Sequence, residues 1–242
     1  MKVRDLNEDR FLKILLAGLP QGRNVITGPG DDCAVVQAQG AREFLLLKTD
    51  CVVEGIHYLT EDDPVRVGWK ALCRPLSDIG AMGGEPLHAL VTIFSPADKE
   101  VVYWKAIYKG LSKAARRFGV GLVGGETTRA AQAAVSVTVT GRVEPARLIT
   151  RSAGKSGDLL FVTGTLGGSI QGKHLDFTPR IAEGRWLSAH GYARTMMDLS
   201  DGLASDLPRL ATASGCGFEI DPDTLPRSRG CTTSQAMSDG ED

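Results

Sequence analysis

A set of short motifs places carboxylates beside Gly, Ser or Thr. They are Asp31-Asp32 in Gly28-Pro29-Gly30-Asp31-Asp32-Cys33-Ala34, Asp50 in Lys48-Thr49-Asp50, and Asp78 in Leu76-Ser77-Asp78. Glu126 in Gly124-Gly125-Glu126-Thr127-Thr128 and both acids of Asp198-Leu199-Ser200-Asp201-Gly202-Leu203 complete the set. Each alone has a bland reading, because Asp is common in turns and at helix N-caps, and Asp201 before Gly202-Leu203 could simply cap a helix. Together they have a second. Mg²⁺ takes oxygen ligands in octahedral geometry and shares them with substrate phosphates, so carboxylates at many loop tips, with few Lys or His nearby, could hold ions that in turn hold ATP.

Two other nucleotide patterns nearly occur. Gly119-Val120-Gly121-Leu122-Val123-Gly124 matches G-x-G-x-x-G, but that fingerprint needs a strand before it and a helix after it, and here a helical pattern precedes an apolar strand. Ala153-Gly154-Lys155-Ser156 imitates the end of a Walker A loop, yet Ile149 stands where the first Gly is required. Neither pattern carries a nucleotide site.

The elements that must position these residues follow from periodicity. Phe11, Ile14, Leu15 and Leu19 predict an amphipathic helix over 8–19, ended by Leu19-Pro20-Gln21-Gly22. Residues 64–82 and 98–118 are also helical in period, the latter opening at Ser95-Pro96-Ala97-Asp98. Strands are expected over 44–48 and 133–143, where Val135, Val137 and Val139 alternate with Ser136, Thr138 and Thr140. The first half thus reads as α+β with a mostly antiparallel or mixed sheet. After Glu144-Pro145-Ala146, a strand over 158–163, a helix over 179–190, a strand over 192–197 and a helix over 201–214 are expected. Residues 222–242, rich in Ser, Thr, Asp, Pro and Gly, read as a loop or disordered tail.

Composition bounds the function. The 242 residues carry 28 Lys+Arg against 29 Asp+Glu, a net charge of −1, which argues against a polybasic partner for nucleic acid or a membrane surface. With 42% hydrophobic and 24% charged residues, whole-chain disorder is excluded. No apolar run approaches the ~20 residues of a membrane span, and Met1-Lys2-Val3-Arg4-Asp5 is not a signal core, so a cytoplasmic protein is expected. Cys33, Cys51, Cys73, Cys216 and Cys231 are scattered without a C-x-x-C pair, which suits reduced thiols.

The motifs jointly resemble one family. Gly30-Asp31-Asp32, Thr49-Asp50, Val53-Glu54-Gly55-Ile56-His57, Gly68-Trp69-Lys70-Ala71-Leu72 and Leu76-Ser77-Asp78-Ile79-Gly80-Ala81-Met82-Gly83 come in its order. So do Gly124-Gly125-Glu126-Thr127-Thr128, Thr150-Arg151-Ser152, Val162-Thr163-Gly164-Thr165-Leu166-Gly167, Pro179-Arg180 and Asp198-Leu199-Ser200-Asp201-Gly202-Leu203. The chain resembles the thiamine-monophosphate kinase family, of the superfamily shared with aminoimidazole ribonucleotide synthetase and selenophosphate synthetase. The resemblance implies transfer of the γ-phosphoryl of ATP, a co-substrate, to the phosphate of thiamine monophosphate. A phosphate acceptor needs little deprotonation, so no general base is demanded, and several Mg²⁺ ions with in-line positioning would supply the catalysis.

Carried over by position, the resemblance implies Asp32, Thr49, Asp50, Asp78, Glu126, Asp198 and Asp201 as Mg²⁺ ligands. It places Tyr108, Gly125, Glu126, Arg151 and Ser200 on ATP, and His57 and Glu241 on the thiamine phosphate. It further implies an N-terminal α/β domain over 1–147 with a mixed sheet that dimerises into a shared barrel with ATP sites near the interface. A partial C-terminal α/β domain over 148–242, lacking further strands and a substrate-stacking aromatic, would follow. The partners expected are thiamine monophosphate, ATP and a second copy of the chain, with no nucleic acid and no membrane.

The chain departs from the pattern in places. Glu126 stands where Asp is usual, one methylene longer; Lys48 stands where a small hydroxyl residue is common and could replace part of a metal's charge or point away. Arg74-Pro75 replaces an apolar residue and Asn, and 168–178 is short where a helical lid is often found. Two alternatives therefore stay open. One is another ATP-dependent synthetase of the superfamily, acting on a carbonyl oxygen or a selenide, although the absence here of an N-terminal catalytic Cys/Lys pair argues against the selenide version and His57 after Glu54-Gly55-Ile56 favours thiamine phosphate. The other is a catalytically impaired metal–nucleotide binding protein.

Overall fold

A computed structural model describes residues 2–241, so Met1 and Asp242, the outer ends of the two expected domains, lie outside the described residues. Six strands form one mixed sheet: β1 (Val25–Thr27), β2 (Ala34–Gln37), β3 (Phe44–Val53), β4 (Glu85–Ser95), β5 (Gly121–Arg129) and β6 (Ala134–Val143). Their order is β1-β2-β3-β6-β4-β5, antiparallel throughout except for the parallel pair β4 and β5. α1 (Glu8–Leu16) precedes the sheet, α2 (Pro64–Ala81) links β3 to β4, and α3 (Val101–Phe118) is the crossover from β4 to β5. The parallel pair needs such a crossover, which is why a helix lies ahead of the Gly-rich strand.

Alternation assigns the faces. Leu46 and Val52 of β3, Ala89 and Val91 of β4, and Val135, Val137 and Val139 of β6 are buried against Val67, Leu72, Leu76 and Ile79 of α2 and Ile107 and Leu111 of α3. The opposite face carries no helix among the described residues and leaves Leu47, Leu90 and Val123 exposed. The helices approach closely through glycine. A Cβ on Gly68 would lie 2.0 Å from the Ile107 carbonyl oxygen, and one on Gly110 2.0 Å from that of Val65.

Beyond Val143 the chain differs from expectation. The strands foreseen over 158–163 and 192–197 do not form: a strand needs a ladder neighbour, none is present among the described residues, and Leu159, Phe161 and Tyr192 stay exposed. What forms instead is helical. α4 (Ile181–Ala189) packs on α2, where a Cβ on Gly184 would lie 2.2 Å from the Gly80 carbonyl oxygen. α5 (Leu203–Ser214) and α6 (Thr233–Ser238) enclose a small second core of Leu166, Leu203, Leu207 and Ala236. The tail is therefore not a featureless loop: the Thr232 hydroxyl accepts from the Gln235 N–H while Gln235 accepts from Thr232, a capping box that starts α6. The short 168–178 segment forms two 3₁₀ turns, tied to α2 by Arg66–Asp176 at 2.5 Å and by the Trp69 indole N–H donating to the Phe177 carbonyl at 2.8 Å.

Candidate functional site

The site begins on α2. Lys70, Arg74 and Asp78 recur every four residues, so they project from one side of the helix toward β3. On β3, Lys48 and Asp50 are two apart and share the helix-facing side. The pairs cross: Lys48 Nζ lies 2.5 Å from Asp78 Oδ1, and Arg74 Nη1 lies 3.2 Å from Asp50 Oδ1. Thr49, between them, faces the other way, where the Thr138 hydroxyl donates to Thr49 Oγ1 at 3.0 Å. Its side chain is thus not brought to the carboxylates that surround Asp78.

Those carboxylates are Asp32 and Asp198, which with Asp78 offer oxygen atoms within 4.8 Å of one another. Asp32 comes from the β1–β2 turn. Asp31 beside it closes that turn, accepting from the Asp32 N–H at 2.9 Å, and accepts from the Arg151 N–H at 3.2 Å. The Arg151 guanidinium grips Asp32 Oδ1 through Nε at 3.0 Å and through Nη2, and reaches to 3.9 Å from Asp198 Oδ1. Burial raises the Asp32 and Asp78 carboxyls well above the ordinary range, and the Asp198 charge raises both further, while Arg151 and Lys48 pull the other way. Burial would lower the Lys48 ammonium, but Asp78, joined by Asp198 and Asp50, outweighs it and raises it. Among the described residues, Asp32 Oδ2 and Asp78 Oδ2 are buried with no hydrogen-bond partner. Desolvated carboxylate oxygens left in this way fit a hard cation, which takes oxygen ligands.

Asp198 is set by a loop that a residue missed by sequence reading organises. Asp206, fully buried on the first turn of α5, accepts from the Ser200 and Asp201 N–H groups at 2.9 Å each, and Arg209 donates to its other oxygen at 2.9 Å. Asp201 does not cap the helix. Its carboxylate pairs with Arg209 at 2.5 Å and its side chain is half exposed, outside the close triad. The Asp201-Gly202-Leu203-Ala204-Ser205-Asp206 spacing was available in the sequence, but only folding shows Asp206 turning back onto its own loop.

The two residues expected on thiamine phosphate are joined through Lys70 beside this cluster. Glu241 pairs with Lys70 at 2.6 Å and with Arg74 at 2.8 Å, and Lys70 also donates to the His57 carbonyl at 2.7 Å. His57 Nδ1 accepts from the Val53 N–H at 3.1 Å, leaving Nε2 as the donor of the neutral ring. Burial, with Arg74 and Lys70 nearby, lowers the His57 pKa and favours that neutral form. Arg74 joins the halves, since it touches Asp50 on one side and Glu241 on the other.

Tyr108, Gly125 and Glu126 lie elsewhere. They line a cleft of about 520 Å³ with Val91, Leu122 and Thr127 at the sheet edge. A Cβ on Gly125 would sit 1.8 Å from the Val91 carbonyl oxygen, so only Gly lets the strands approach there. In the sheet register Asp50 faces Val137, Val137 faces Val91 and Val91 faces Gly125. That is three strand spacings, roughly 14 Å. Within one chain Glu126 is therefore not gathered with Asp32, Asp78 and Asp198.

Comparison with known proteins then gives the following. Residues 30–143 match the family of AIR synthase related proteins, N-terminal domain. The chain is 34% identical to the thiamine-monophosphate kinase of Rhodopirellula baltica over 253 aligned positions, covering 97% of this chain and 79% of that one. It is 36% identical to the thiamine-monophosphate kinase of Aquifex aeolicus, covering 94% and 78% respectively. A solved structure of AaThiL complexed with AMPPCP and TMP superposes with a TM-score of 0.87 at 32% identity, over 100% of this chain and 84% of that one.

Proposed function

The chain belongs to the thiamine-monophosphate kinase family of ATP-dependent phosphotransferases, and on that premise we propose that it moves the γ-phosphoryl group of ATP onto the phosphate of thiamine monophosphate, forming thiamine diphosphate and ADP. The observation that carries the residue-level reading is the triad of Asp32, Asp78 and Asp198, with a buried orphan oxygen on each of the first two. Such oxygens, and Asp50 beside them, would hold Mg²⁺. Bound there, Mg²⁺ supplies neutralisation of the phosphate charges that otherwise keep two polyanions apart.

The remaining steps belong to the protein's own groups. Arg151, oriented by Asp32 and by the Asp31 bond to its backbone, presents a planar donor to a phosphate oxygen. Ser200 sits on the loop braced by Asp206, which holds the Ser200 and Asp201 N–H groups, and would meet the nucleotide from there, while the Asp201 carboxylate would have to leave Arg209 to reach a metal. His57 donates through Nε2 to the thiamine phosphate, and Glu241, held by Lys70 and Arg74, meets its thiamine side. No side chain has to remove a proton, because the attacking oxygen already carries charge.

Tyr108, Gly125 and Glu126 serve ATP from the edge cleft of a homodimer in this reading. The exposed edge of β5 and the open sheet face bearing Leu47, Leu90 and Val123 support a barrel shared between two copies, since closure removes the edge and covers the apolar face. The shared barrel accounts for Gly125 and its neighbour Glu126 standing three strands, roughly 14 Å, from the Asp50 position of their own chain. We assign residues 1–147 to this ATP-binding, dimerising unit and 148–242 to the second unit. No helix among the described residues is long and apolar enough to cross a membrane, and the scattered free cysteines support a cytoplasmic setting. The test is chromatographic measurement of thiamine diphosphate formed from ATP and thiamine monophosphate. Formation that requires Mg²⁺ and is lost in Asp32→Asn and Asp78→Asn supports the reading; formation that survives both substitutions refutes the residue assignment.

A further inference from the structure

Three carboxylates within 4.8 Å already face two cations belonging to the chain itself. Arg151 holds Asp32 Oδ1, and Lys48 holds Asp78 Oδ1 at 2.5 Å. The Lys48 side chain is mostly covered, and the charges of Asp78, Asp198 and Asp50 act on it. Strand alternation commits it to that place, because Lys48 and Asp50 must share the helix-facing side of β3 while Leu47 and Thr49 turn to the open face. The oxygens left without partners, Asp32 Oδ2 and Asp78 Oδ2, are the ones neither side-chain cation touches. The site is thus divided between oxygens already paired to fixed charge and oxygens that still lack one.

We propose that Lys48 is a built-in cation of the phosphate-binding site, its ammonium occupying against Asp78 a position that a divalent ion would otherwise fill. The inference rests on the Mg²⁺-dependent reading above and adds to it that this chain recruits one divalent ion fewer than its carboxylates could hold. The physical reason is exclusion. An ammonium in contact with Asp78 Oδ1 takes the place of an ion on that oxygen, and its charge weakens, without abolishing, the hold of Asp78 Oδ2 on a divalent ion. A fixed ammonium also needs no recruitment from solution, so part of the charge that draws in polyphosphate is present at any Mg²⁺ concentration.

The test counts Mn²⁺ bound per full-length chain in the presence of AMPPCP, read from loss of the free-ion electron paramagnetic resonance signal. Lys48→Ser and Lys48→Gln are each expected to bind one more Mn²⁺ than the wild type, and Lys48→Arg the same number as the wild type. The tightest Mn²⁺ affinity should rise on the order of tenfold in the two neutral variants, the scale of removing one like charge at contact distance. Equal counts in wild type and both neutral variants overturn the role of Lys48 while leaving the metal reading intact. No Mn²⁺ bound by any of the proteins overturns the metal reading and this proposal with it. Wild-type crystals soaked in Mn²⁺ give an independent reading: an anomalous peak touching Asp78 Oδ1 overturns the proposal even if no variant folds, and a peak only on the orphan oxygens supports it.

Discussion

Replacing Gly110 with Ala should loosen the pair of helices that backs the whole site. The added Cβ would lie 2.0 Å from the Val65 carbonyl oxygen and 2.7 Å from the Trp69 nitrogen, both backbone atoms that no rotamer change can move. A carbon needs about 3.3 Å from a carbonyl oxygen, so α2 and α3 must part by roughly 1.3 Å. Overpacking of this kind costs up to about 3 kcal/mol, and the better helix propensity of Ala returns about 1 kcal/mol, for a net loss near ~2 kcal/mol. For a chain of this size that lowers Tm by roughly 4–8 °C. Gly68→Ala makes the reciprocal clash with Ile107, so the two substitutions open the same gap. The double variant should be less destabilised than the sum of the singles by about 1 kcal/mol. Urea unfolding midpoints measure all three, with Gly217→Ala, where a Cβ meets nothing within 4 Å, as the control expected within about 0.5 kcal/mol of wild type. Because α2 carries Asp78 and α3 carries Tyr108, the Gly110 variant should also weaken nucleotide binding. A Gly110→Ala protein as stable as wild type, or a strictly additive double variant, would refute the close backbone packing of α2 on α3.

Three further outcomes are expected. Arg151→Met leaves Asp32 buried with both oxygens uncompensated, a loss of about 3 kcal/mol at neutral pH that calorimetry should find reduced on acidification, where Asp32 takes up a proton. Asp32 and Asp78 are raised in the folded state, so without metal their contribution to stability is fully present below the ordinary carboxylate value and is lost as pH rises through their raised values. Mg²⁺ competes with those protons. Its upward shift of Tm should therefore be larger at pH 8 than at pH 5, and a shift independent of pH, measured by thermal unfolding, would speak against these carboxylates as ligands. Glu241→Gln uncouples Lys70 and Arg74 and should cost more stability than Glu183→Gln, whose pair with Arg180 is about half exposed and worth under about 1 kcal/mol. Equal costs in chemical denaturation would show that Glu241 is not held as described.

Much of the first half was legible because its signals are local. The alternation of Val135, Val137 and Val139 and the helical period of 64–82 each belong to one element, and both elements form with nearly the expected bounds. The strands expected over 158–163 and 192–197 fail because a strand exists only with a neighbour, and no run of residues reports whether that neighbour is there. The reverse error occurred in the tail, where polar composition hid the Thr232–Gln235 capping box and Ala236, which is completely buried. Within the site, motif order singled out Asp32, Asp78 and Asp198, but spacing alone could not say that these three converge while Thr49 turns away and Glu126 lies across the sheet. Lys48 was visible as an odd residue before Thr49-Asp50. Its meaning needed the 2.5 Å contact to Asp78, which joins positions 30 residues apart.

The destination of the phosphoryl group is the most direct measure of what the carboxylate site does. The wild-type chain, given ATP labelled with ³²P at the γ position, Mg²⁺ and thiamine monophosphate, should place the label in the terminal phosphate of thiamine diphosphate in step with ADP formation. Asp78→Asn, folded by circular dichroism, should place none there. Label released as inorganic phosphate with no labelled thiamine diphosphate, or labelled product formed equally well by Asp78→Asn, would contradict it.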